Sequence, residues 1–362
     1  MKIYVFGTRG FPNIQGGVEK HCEALYTGFS NELQITVFRR KPYIQETPLY
    51  PNIFFKDICS TKIKGIEALF HSFLCTLICI YRRPDIIHIH NIGPGCFIPL
   101  LRLFKLKVVL TYHSANYEHK KWGRISKLFL KLSEFIALQF SNRVIFVNRF
   151  RMEKQPLAIQ KKSNYIPNGI CSLKRIEQTD YISSLGLTPH KYILAVGRIT
   201  PEKGFDDLID AFAQMNRNNY KLVIAGGVEH EISYFNYIKD KSGNLPVIYT
   251  GFLTSKYLQE LYTHADIFVL SSHNEGFPLV VLEAMQLGCD ILLSDIAATR
   301  LLKLPEENYF VMGNINDLVS KLENKLNNKS STICRYNLMD FNWENIRQQT
   351  KEIYDSLMQK TI

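Results

Sequence analysis

The 362-residue sequence lacks several features that would place it in a class at once. It has no low-complexity stretch and only 21% charged residues, so intrinsic disorder is not expected. None of its eight cysteines forms a C-x-x-C pair, and most lie in apolar runs, so we expect buried free thiols. It carries no helix-turn-helix, zinc-finger or RNA-recognition signature, which makes nucleic acid the least favoured partner.

The sequence also lacks a basic segment followed by an apolar segment at its start, because a strand pattern begins at Lys2. This argues against secretion and predicts a reducing, cytoplasmic location. The longest apolar run, 66–80, contains His71 and has about fifteen residues, which is short for a transmembrane helix. We therefore predict a buried helix there.

Acidic residues are fewer than basic ones, 33 against 44, and the net charge is +11. Such a chain suits nucleic acid, an anionic membrane surface or a phosphorylated substrate. Residues 102–131 interleave basic side chains with Leu, Phe and Trp122. The basic residues are Arg102, Lys105, Lys107, Lys120, Lys121, Arg124, Lys127 and Lys131. This segment is either an ordinary solvated helix face or, as we favour, a contact with an anionic membrane or lipid diphosphate.

Strand and helix patterns alternate in both halves of the chain, which predicts an α/β fold with parallel sheets and right-handed crossovers. The length and the 46% hydrophobic content allow two domains, each Rossmann-like. We place the first domain at 1–170 and the second at 171–342, with the polar stretch 171–191 as a hinge. Residues 343–362 form a final helix assigned to the first domain.

Residues 274–285 contain the most informative motif. Glu275 follows a strand pattern at 265–270, and a helix begins near Pro278, which suits a first helical turn. The carboxyl end of such a strand is where ligands bind in open α/β sheets, and the helix start attracts anions. Glu275 and Glu283 would accept hydrogen bonds from hydroxyl groups, so a sugar nucleotide fits. The alternative, a helix cap and a solvated charge, is equally consistent with the motif alone.

Other polar residues end strand patterns as well. Arg198 and Lys203 follow the strand pattern 192–196, and two cations at a strand end can bind phosphate oxygens. The alternative is that they are two ordinary surface charges. His88 and His90 alternate along a strand near Asp85, but no third metal ligand is evident, so we favour structural roles.

Three segments in order resemble signatures of the retaining glycosyltransferases of family 4, over most of the chain. They are the Gly16-Gly17 turn, 197–204 (GRITPEKG) and the E-x7-E motif from Glu275 to Glu283. The resemblance implies the GT-B fold, in which two Rossmann-like domains face each other across a cleft and a C-terminal helix returns to the first domain.

The resemblance also implies residue roles. Arg198 and Lys203 would bind the donor diphosphate, Glu283 the ribose hydroxyls, and Glu275 would lie near the donor sugar, faced by His113. The segment after Glu275 would meet the phosphates through its backbone; it comprises Gly276, Phe277, Pro278, Leu279 and Val280. The Gly16-Gly17 backbone would approach an acceptor or phosphate closely, although a plain tight turn is as good a reading of these glycines alone.

The implied activity is retaining, metal-independent transfer from a UDP-, GDP- or ADP-sugar to a glycan or polyprenyl-diphosphate-linked acceptor in bacterial surface-polysaccharide synthesis. No D-x-D motif occurs, and we expect no metal and no cofactor. The expected location is cytoplasmic, with peripheral contact to the inner face of the membrane as an option. The alternatives are another GT-B sugar-nucleotide enzyme, such as an epimerase, and a non-catalytic scaffold.

Two departures from the family pattern put the donor in doubt. Asp290 stands where the family usually has Pro, and 295–300 replaces a glycine-rich loop.

Overall fold

The computed structural model describes residues 1–14, 16–44, 46–61, 63, 66–118, 123–170, 173–215, 219–228, 232–253, 255–328 and 333–359. The chain divides into two compact units. The N-terminal domain comprises Met1–Gly169 and Asp340–Ile362, and the C-terminal domain comprises Ile170–Met339.

The N-terminal domain is built on a seven-stranded parallel sheet of order β3-β2-β1-β4-β5-β6-β7. Its strands are β1 Lys2–Phe6, β2 Gln34–Arg40, β3 Ile53–Ile58, β4 Ile86–His90, β5 Val108–Tyr112, β6 Arg143–Phe146 and β7 Ser163–Tyr165. Its helices are α1 Gly17–Thr27, α2 Ile66–Arg82, α3 Ile98–Leu103, α4 Arg124–Phe140, α5 Arg149–Glu153, α6 Leu157–Gln160 and the C-terminal helix Trp343–Gln359. The strand order reverses between β1 and β4, the kind of switch point where ligands bind in such sheets.

Two apolar cores flank this sheet. One core contains α1 residues such as Leu25 together with Trp343 and Ile346 of the C-terminal helix. The C-terminal helix is therefore an integral layer of this domain, because its apolar stripe is covered by the sheet and by α1.

Helix α2 corrects the prediction of a fully buried helix. Its buried face carries small and polar side chains, among them His71, Cys75 and Cys79. Its apolar side chains Phe70, Phe73, Leu77 and Tyr81 are exposed instead, Tyr81 to 81%. The small residues allow close packing on the sheet, which turns the large ones outward. In the described part of the chain, no helix has the length and apolar character needed to cross a membrane.

The C-terminal domain has a six-stranded parallel sheet of order β10-β9-β8-β11-β12-β13. Its strands are β8 Tyr192–Val196, β9 Lys221–Ala225, β10 Val247–Gly251, β11 Ile267–Leu270, β12 Asp290–Ser294 and β13 Tyr309–Phe310. Its helices are α7 Asp180–Ser184, α8 Phe205–Gln214, α9 Ile232–Ser242, α10 Ser255–His264, α11 Leu279–Gln286, α12 Ala297–Arg300 and α13 Ile315–Asn327. The order reverses between β8 and β11, so the segments that follow these two strands are neighbours.

The predicted hinge 171–191 is not all linker. It contains α7, which packs against α10, and the Ile182 backbone N–H donates to the buried Glu260 carboxylate at 2.9 Å. The polar composition of this stretch concealed the buried apolar residues Ile182 and Leu187, which anchor it.

The cysteines that the structure describes are free thiols, and Cys22, Cys75, Cys79 and Cys289 are buried. Four of the seven described thiols are thus buried, as expected for most of them, whereas Cys59 is exposed. Cys171 lies outside the described residues. Burial raises the pKa of the Cys22 thiol, so this thiol is inert as a nucleophile.

Candidate active site

Lys203 and Glu275 meet where β8 and β11 end side by side. The Lys203 Nζ atom lies 2.6 Å from Glu275 Oε1, and the two side chains are only 15% and 11% exposed. The Ser272 hydroxyl donates to the same carboxylate oxygen at 2.7 Å. The cation and the carboxylate that the sequence places near a donor are thus held together at one point of the sheet edge.

The two segments that carry this pair are joined by hydrogen bonds to backbone carbonyl groups. The Ser271 hydroxyl donates to the Lys203 carbonyl at 2.9 Å, and the His273 N–H donates to the Glu202 carbonyl at 2.9 Å. Gly204 follows with φ of +60°, and a Cβ atom there would lie 2.3 Å from the Ser271 carbonyl oxygen. Only glycine fits both the left-handed conformation and the close backbone approach.

Arg198 is a partly exposed residue at the same strand end, two positions beyond β8. The Gly197 N–H donates to the Ala225 carbonyl, and the Ile199 N–H donates to the Gly227 carbonyl. These bonds fix the backbone on both sides of Arg198 at the carboxyl edge of the sheet.

Glu283 lies in the second turn of α11, whose N-cap is Pro278. The Tyr262 hydroxyl donates to Glu283 Oε2 at 3.2 Å and to the Val280 carbonyl at 3.1 Å. Burial raises the pKa of Tyr262 well above its ordinary value, so it remains a hydrogen-bond donor. Tyr262 orients Glu283, and sequence reasoning missed it because it lies on α10, outside every motif.

The backbone segment between the two glutamates lies at the start of α11. Phe277 and Pro278 are buried, whereas Gly276, Leu279 and Val280 are partly exposed. The first N–H groups of this helix therefore follow Glu275 closely in sequence and lie at the same sheet edge.

The two departures from the family pattern differ in position. Asp290 begins β12 at the amino edge of the sheet and binds Lys325 Nζ at 2.8 Å. It is therefore at the opposite end of its strand from the candidate site. The segment 295–300 follows the carboxyl end of β12, where the Ser294 hydroxyl donates to the Ser272 carbonyl at 2.6 Å. There Arg300 binds Asp295 at 2.6 Å, and this hydrogen bond lowers the pKa of Asp295.

The N-terminal domain contains a buried histidine cluster, which we define as His21, His88, His90 and His113. His90 ends β4, His113 follows β5, and the His90 Nδ1 and His113 Nε2 atoms are 2.9 Å apart. His21 Nδ1 lies 2.7 Å from Asn168 Oδ1. Burial lowers the pKa of His21 to about 4 and of His88 to about 3, so the cluster is neutral near pH 7.

The structure supplies the third histidine that the sequence left unseen. Candidate ligand nitrogens of His21, His90 and His113 lie within 4.8 Å of one another, and His21 Nε2 has no hydrogen-bond partner among the described residues. A tetrahedral zinc ion at roughly 2.0–2.1 Å from each nitrogen would hold its ligands about 3.3 Å apart. The 2.9 Å separation of His90 and His113 suits a shared proton better. Asp85 is not part of this group, because it accepts from the Lys2 N–H at 2.7 Å.

The Gly16–Gly17 turn starts α1, with Gly16 as N-cap. The Glu19 carboxylate lies against Gly16, where an added Cβ would be 2.0 Å from Glu19 Oε2, and it accepts from the Arg9 N–H at 3.2 Å. A carboxylate at this helix start favours a hydroxyl-bearing ligand over a phosphate.

The basic segment 102–131 includes the first half of α4. Helix α4 exposes Ile125, Leu128, Leu132 and Phe135 at helical spacing, Ile125 to 86%. Helices α2 and α4 both pack on the turn Pro94–Phe97. We call eight of the exposed apolar side chains of these two helices the apolar face: Phe70, Phe73, Leu77, Tyr81, Ile125, Leu128, Leu132 and Phe135. Lys120, Lys121 and Trp122 lie outside the described residues.

Comparison with known families agrees with this geometry. Residues 15–171 match the sequence profile described as Glycosyltransferase Family 4, and residues 177–337 match Glycosyl transferases group 1. This chain is a glycosyltransferase of the GT-B fold.

Relatives of the glycosyltransferase extend over its whole length. It is 24% identical to an uncharacterised glycosyltransferase of Methanocaldococcus jannaschii, over 99% of each chain. It is 26% identical to the UDP-Gal:alpha-D-GlcNAc-diphosphoundecaprenol alpha-1,3-galactosyltransferase of Escherichia coli, over 86% of this chain and 92% of that one.

Solved structures share its fold. Sucrose-phosphate synthase from Thermosynechococcus elongatus superposes with a TM-score of 0.80 at 21% identity, covering 99% of this chain and 100% of that one. Anabaena HepE, in complex with UDP and glucose, gives 0.78 at 15% identity, covering 98% and 99%. These structures confirm the predicted GT-B fold, and the family profiles and curated relatives confirm the predicted enzyme class.

Proposed function

We propose that this glycosyltransferase moves a sugar, with retention of configuration and without a metal ion, from a nucleoside diphosphate to a lipid-diphosphate-linked saccharide during polysaccharide assembly. The observation that carries the proposal is the meeting of Lys203 and Glu275 at the switch point of the C-terminal sheet, 2.6 Å apart. Arg198 lies two residues beyond the end of β8, and Glu283 lies on α11.

The chemistry follows from these groups. The bond between the anomeric carbon and the diphosphate oxygen breaks, and a bond from the acceptor hydroxyl oxygen to that carbon forms on the same face. The hydroxyl proton passes to the departing diphosphate, so the products are the glycoside and a nucleoside diphosphate. Lys203 and Arg198 stabilise the negative charge that grows on the leaving group, and Lys203 is held by Glu275 before the reaction starts. Glu275 holds Lys203 in place and accepts from a donor hydroxyl.

Glu283 is the proposed partner of the nucleoside. A carboxylate can accept both hydroxyls of a ribose, and the Tyr262 hydroxyl keeps one of its oxygens oriented. His113, in the N-terminal domain, is the proposed contact to the sugar. The turn Gly16–Gly17 is the proposed contact to the acceptor.

A UDP-sugar is the first donor to test, and a polyprenyl-diphosphate-linked saccharide the first acceptor. The Escherichia coli relative is named for this pair of substrates, and the structure of HepE has been solved in complex with UDP-glucose. GDP- and ADP-sugars remain the alternatives.

The decisive experiment is a thermal-shift screen against UDP-, GDP- and ADP-sugars, followed by transfer assays with the donor that stabilises the protein. We expect one nucleotide class to raise the Tm, transfer to occur only with acceptor, and the product to keep the donor's anomeric configuration. Isomerised donor without acceptor would indicate an epimerase instead. Donor binding without any product would indicate a scaffold. Arg198→Ala should abolish nucleotide binding whichever of these outcomes the wild type shows.

We also propose that the apolar face of the N-terminal domain rests on an anionic membrane surface. Eight large apolar side chains are exposed there. Exposed basic residues lie on the same helices or next to them: Arg82 on α2, Arg83 just after it, Lys131 on α4 and Lys105 in the turn after α3. Apolar side chains enter the interfacial region while basic side chains pair with anionic headgroups. A lipid-linked acceptor would be presented at such a surface. The enzyme is then a peripheral protein of the cytoplasmic face.

A further inference from the structure

His273 joins two chain segments at the candidate active site. We call 202–207 the lysine segment and 271–275 the glutamate segment. The His273 N–H donates to the Glu202 carbonyl at 2.9 Å. The His273 Nε2 atom lies 3.1 Å from Asp207 Oδ2, in the first turn of α8. One residue of the glutamate segment therefore holds the lysine segment on both sides of its lysine.

The imidazole of His273 rests on the backbone of the lysine segment. A Cβ atom added to Gly204 would lie 3.0 Å from His273 Nε2 and 3.1 Å from His273 Cδ2. These distances leave no room for a side chain between the ring and the turn, so the ring has a defined place. The His273 and Asp207 side chains are 27% and 21% exposed, so solvent screens their interaction only in part.

Asp207 depends on this histidine. Its Oδ2 atom is enclosed by protein and accepts no well-aligned hydrogen bond from the described residues. A carboxylate oxygen withdrawn from water requires a donor or a positive charge nearby, and a proton on His273 Nε2 supplies it. The neighbouring Asp206 differs, because its Oδ1 accepts from the Tyr234 hydroxyl at 2.7 Å. The two acids of this helical turn therefore have separate roles.

These contacts form a closed ring with the Lys203–Glu275 pair. Lys203 lies four residues before Asp207, and Glu275 lies two residues after His273. The Lys203 Nζ atom and Glu275 Oε1 close the ring at 2.6 Å. The two segments are thereby joined at more than one point, which restricts where the ammonium group can lie. Its position matters, because a shift of about 1 Å in a reacting group can lower a rate about a hundredfold.

We propose that His273 and Asp207 are positioning residues that keep Lys203 in place for the donor diphosphate. They act through the backbone of the lysine segment, and neither has to touch the donor. The inference rests on the proposed function for what Lys203 does, and on the contacts above for how Lys203 is held. Both positioning residues lie outside the motifs 197–204 and 275–283.

The test first reads the position of Lys203 without any substrate. Proton–nitrogen correlation spectra of lysine ammonium groups detect those held in shielded ion pairs, because their protons exchange slowly with water. The Lys203 signal is identified by its loss in Lys203→Arg. We expect this signal in the wild type, and its loss or a shift in His273→Asn and in Asp207→Ala.

Each change has a matched control. His273→Gln places an amide nitrogen near the position of Nε2, whereas His273→Asn places it near that of Nδ1, so only the glutamine can restore the contact. Asp206→Ala removes the other carboxylate of the same helical turn and should keep the Lys203 signal. Asp207→Ala serves if His273→Asn does not fold, and Tm values show whether variants and controls are equally stable.

Kinetics then connect the position of Lys203 to the reaction. His273→Asn and Asp207→Ala should lower kcat about tenfold or more, whereas His273→Gln and Asp206→Ala should keep it within about threefold. In the Lys203→Ala background, His273→Asn should lower kcat no further, because its effect passes through Lys203. A purely structural role would instead give additive losses.

The outcomes separate this inference from the proposed function. An unchanged Lys203 signal in both His273→Asn and Asp207→Ala would overturn the inference even in an active transferase, and so would additive losses of kcat in the Lys203→Ala background. The expected signals in a protein that transfers no sugar would support the positioning of Lys203 and refute the proposed function.

Discussion

The Lys203 ammonium and the Glu275 carboxylate are paired before any substrate arrives, at a distance of 2.6 Å. Both side chains are largely removed from solvent, so each depends on the other for charge compensation. In the proposed mechanism, a donor diphosphate meets a lysine that is already oriented, and the glutamate stays within reach of the sugar.

Removing either partner of this pair should abolish most of the activity. We expect Lys203→Ala and Glu275→Ala each to lower kcat at least a hundredfold, since a preorganised charge at the leaving group contributes about 3 kcal/mol. Steady-state transfer assays measure the loss, and circular dichroism checks that the variants fold. Near-normal turnover in either variant would remove both residues from the mechanism.

A matched ion pair separates catalysis from stability. Lys325 and Asp290 are 2.8 Å apart and 13% and 15% exposed, in the same domain but at the amino edge of the sheet. Lys325→Ala should lower the Tm about as much as Lys203→Ala does, and it should leave kcat within about twofold. An equal loss of activity in both would mean that the pairs only hold the domain together.

Glu283 should affect binding of the nucleoside rather than turnover. A hydrogen bond to a charged group contributes about 1.5–3 kcal/mol, so Glu283→Ala should weaken nucleotide binding more than tenfold. Isothermal titration calorimetry with the ribonucleotide and its 2′,3′-dideoxy analogue tests the contact. The wild type should prefer the ribonucleotide, and the variant should bind both alike. A preference retained in the variant would place the ribose elsewhere.

Gly204 should tolerate no side chain. Its φ is +60°, and an added Cβ would lie 2.3 Å from the Ser271 carbonyl oxygen. Gly204→Ala should therefore lower both the Tm and donor affinity, because the turn that carries Lys203 must shift. Gly243→Ala is the control, since its φ is +48° but the nearest atom to an added Cβ is 4.0 Å away. It should cost only the roughly 1 kcal/mol of a left-handed alanine.

The sequence predicted the strand ends well and the side-chain contacts poorly. Alternating strand and helix patterns fix parallel sheets, and parallel sheets bring strand ends to one edge, so Arg198, Lys203 and Glu275 could be placed together. Their pairing could not be foreseen, because it depends on which strands are neighbours. The contacts of Tyr262 with Glu283 depend on the same information.

Helix α2 and the histidine cluster show a second limit. The apolar run 66–80 predicted burial from composition, whereas the structure buries its small residues and exposes Phe70, Phe73 and Leu77. His21 lies far in sequence from His90 and His113, so only the fold reveals the third histidine. Which face of a helix is buried depends on the elements that pack against it, and a single sequence does not identify those elements.

Acid should begin to destabilise the N-terminal domain at a pH higher than that at which most carboxylates take up a proton. Burial lowers the pKa of His71 and His21 to about 4, while the unfolded value is near 6.5. The unfolded chain thus binds more protons, so stability is complete above about pH 6.5 and is lost as the pH falls toward 4. Each such histidine should lower the free energy of unfolding by about 2 kcal/mol between pH 6.5 and 5.0.

His71 allows this dependence to be measured outside the histidine cluster. Urea unfolding at pH 7.5 and pH 5.0, followed by tryptophan fluorescence, gives the loss in unfolding free energy. His71→Asn should reduce that loss by about 2 kcal/mol, whatever its effect at pH 7.5. Equal stability of the wild type at the two pH values would show that these histidines are not buried in the neutral form.

The apolar face should bind anionic vesicles and do so through both its apolar and its basic side chains. Burying an exposed Ile or Leu contributes about 1.5–3 kcal/mol, so Ile125→Ser with Leu132→Ser should weaken binding at least tenfold in flotation assays. Lys131→Glu should weaken it chiefly at low salt, because headgroup attraction is screened by ions. Ile232→Ser is the matched control, since Ile232 is 65% exposed on α9 of the C-terminal domain and Leu132 is 55% exposed. Neutral vesicles should bind the wild type less than anionic ones. Equal binding of the double variant and the wild type would mean that this face meets another partner.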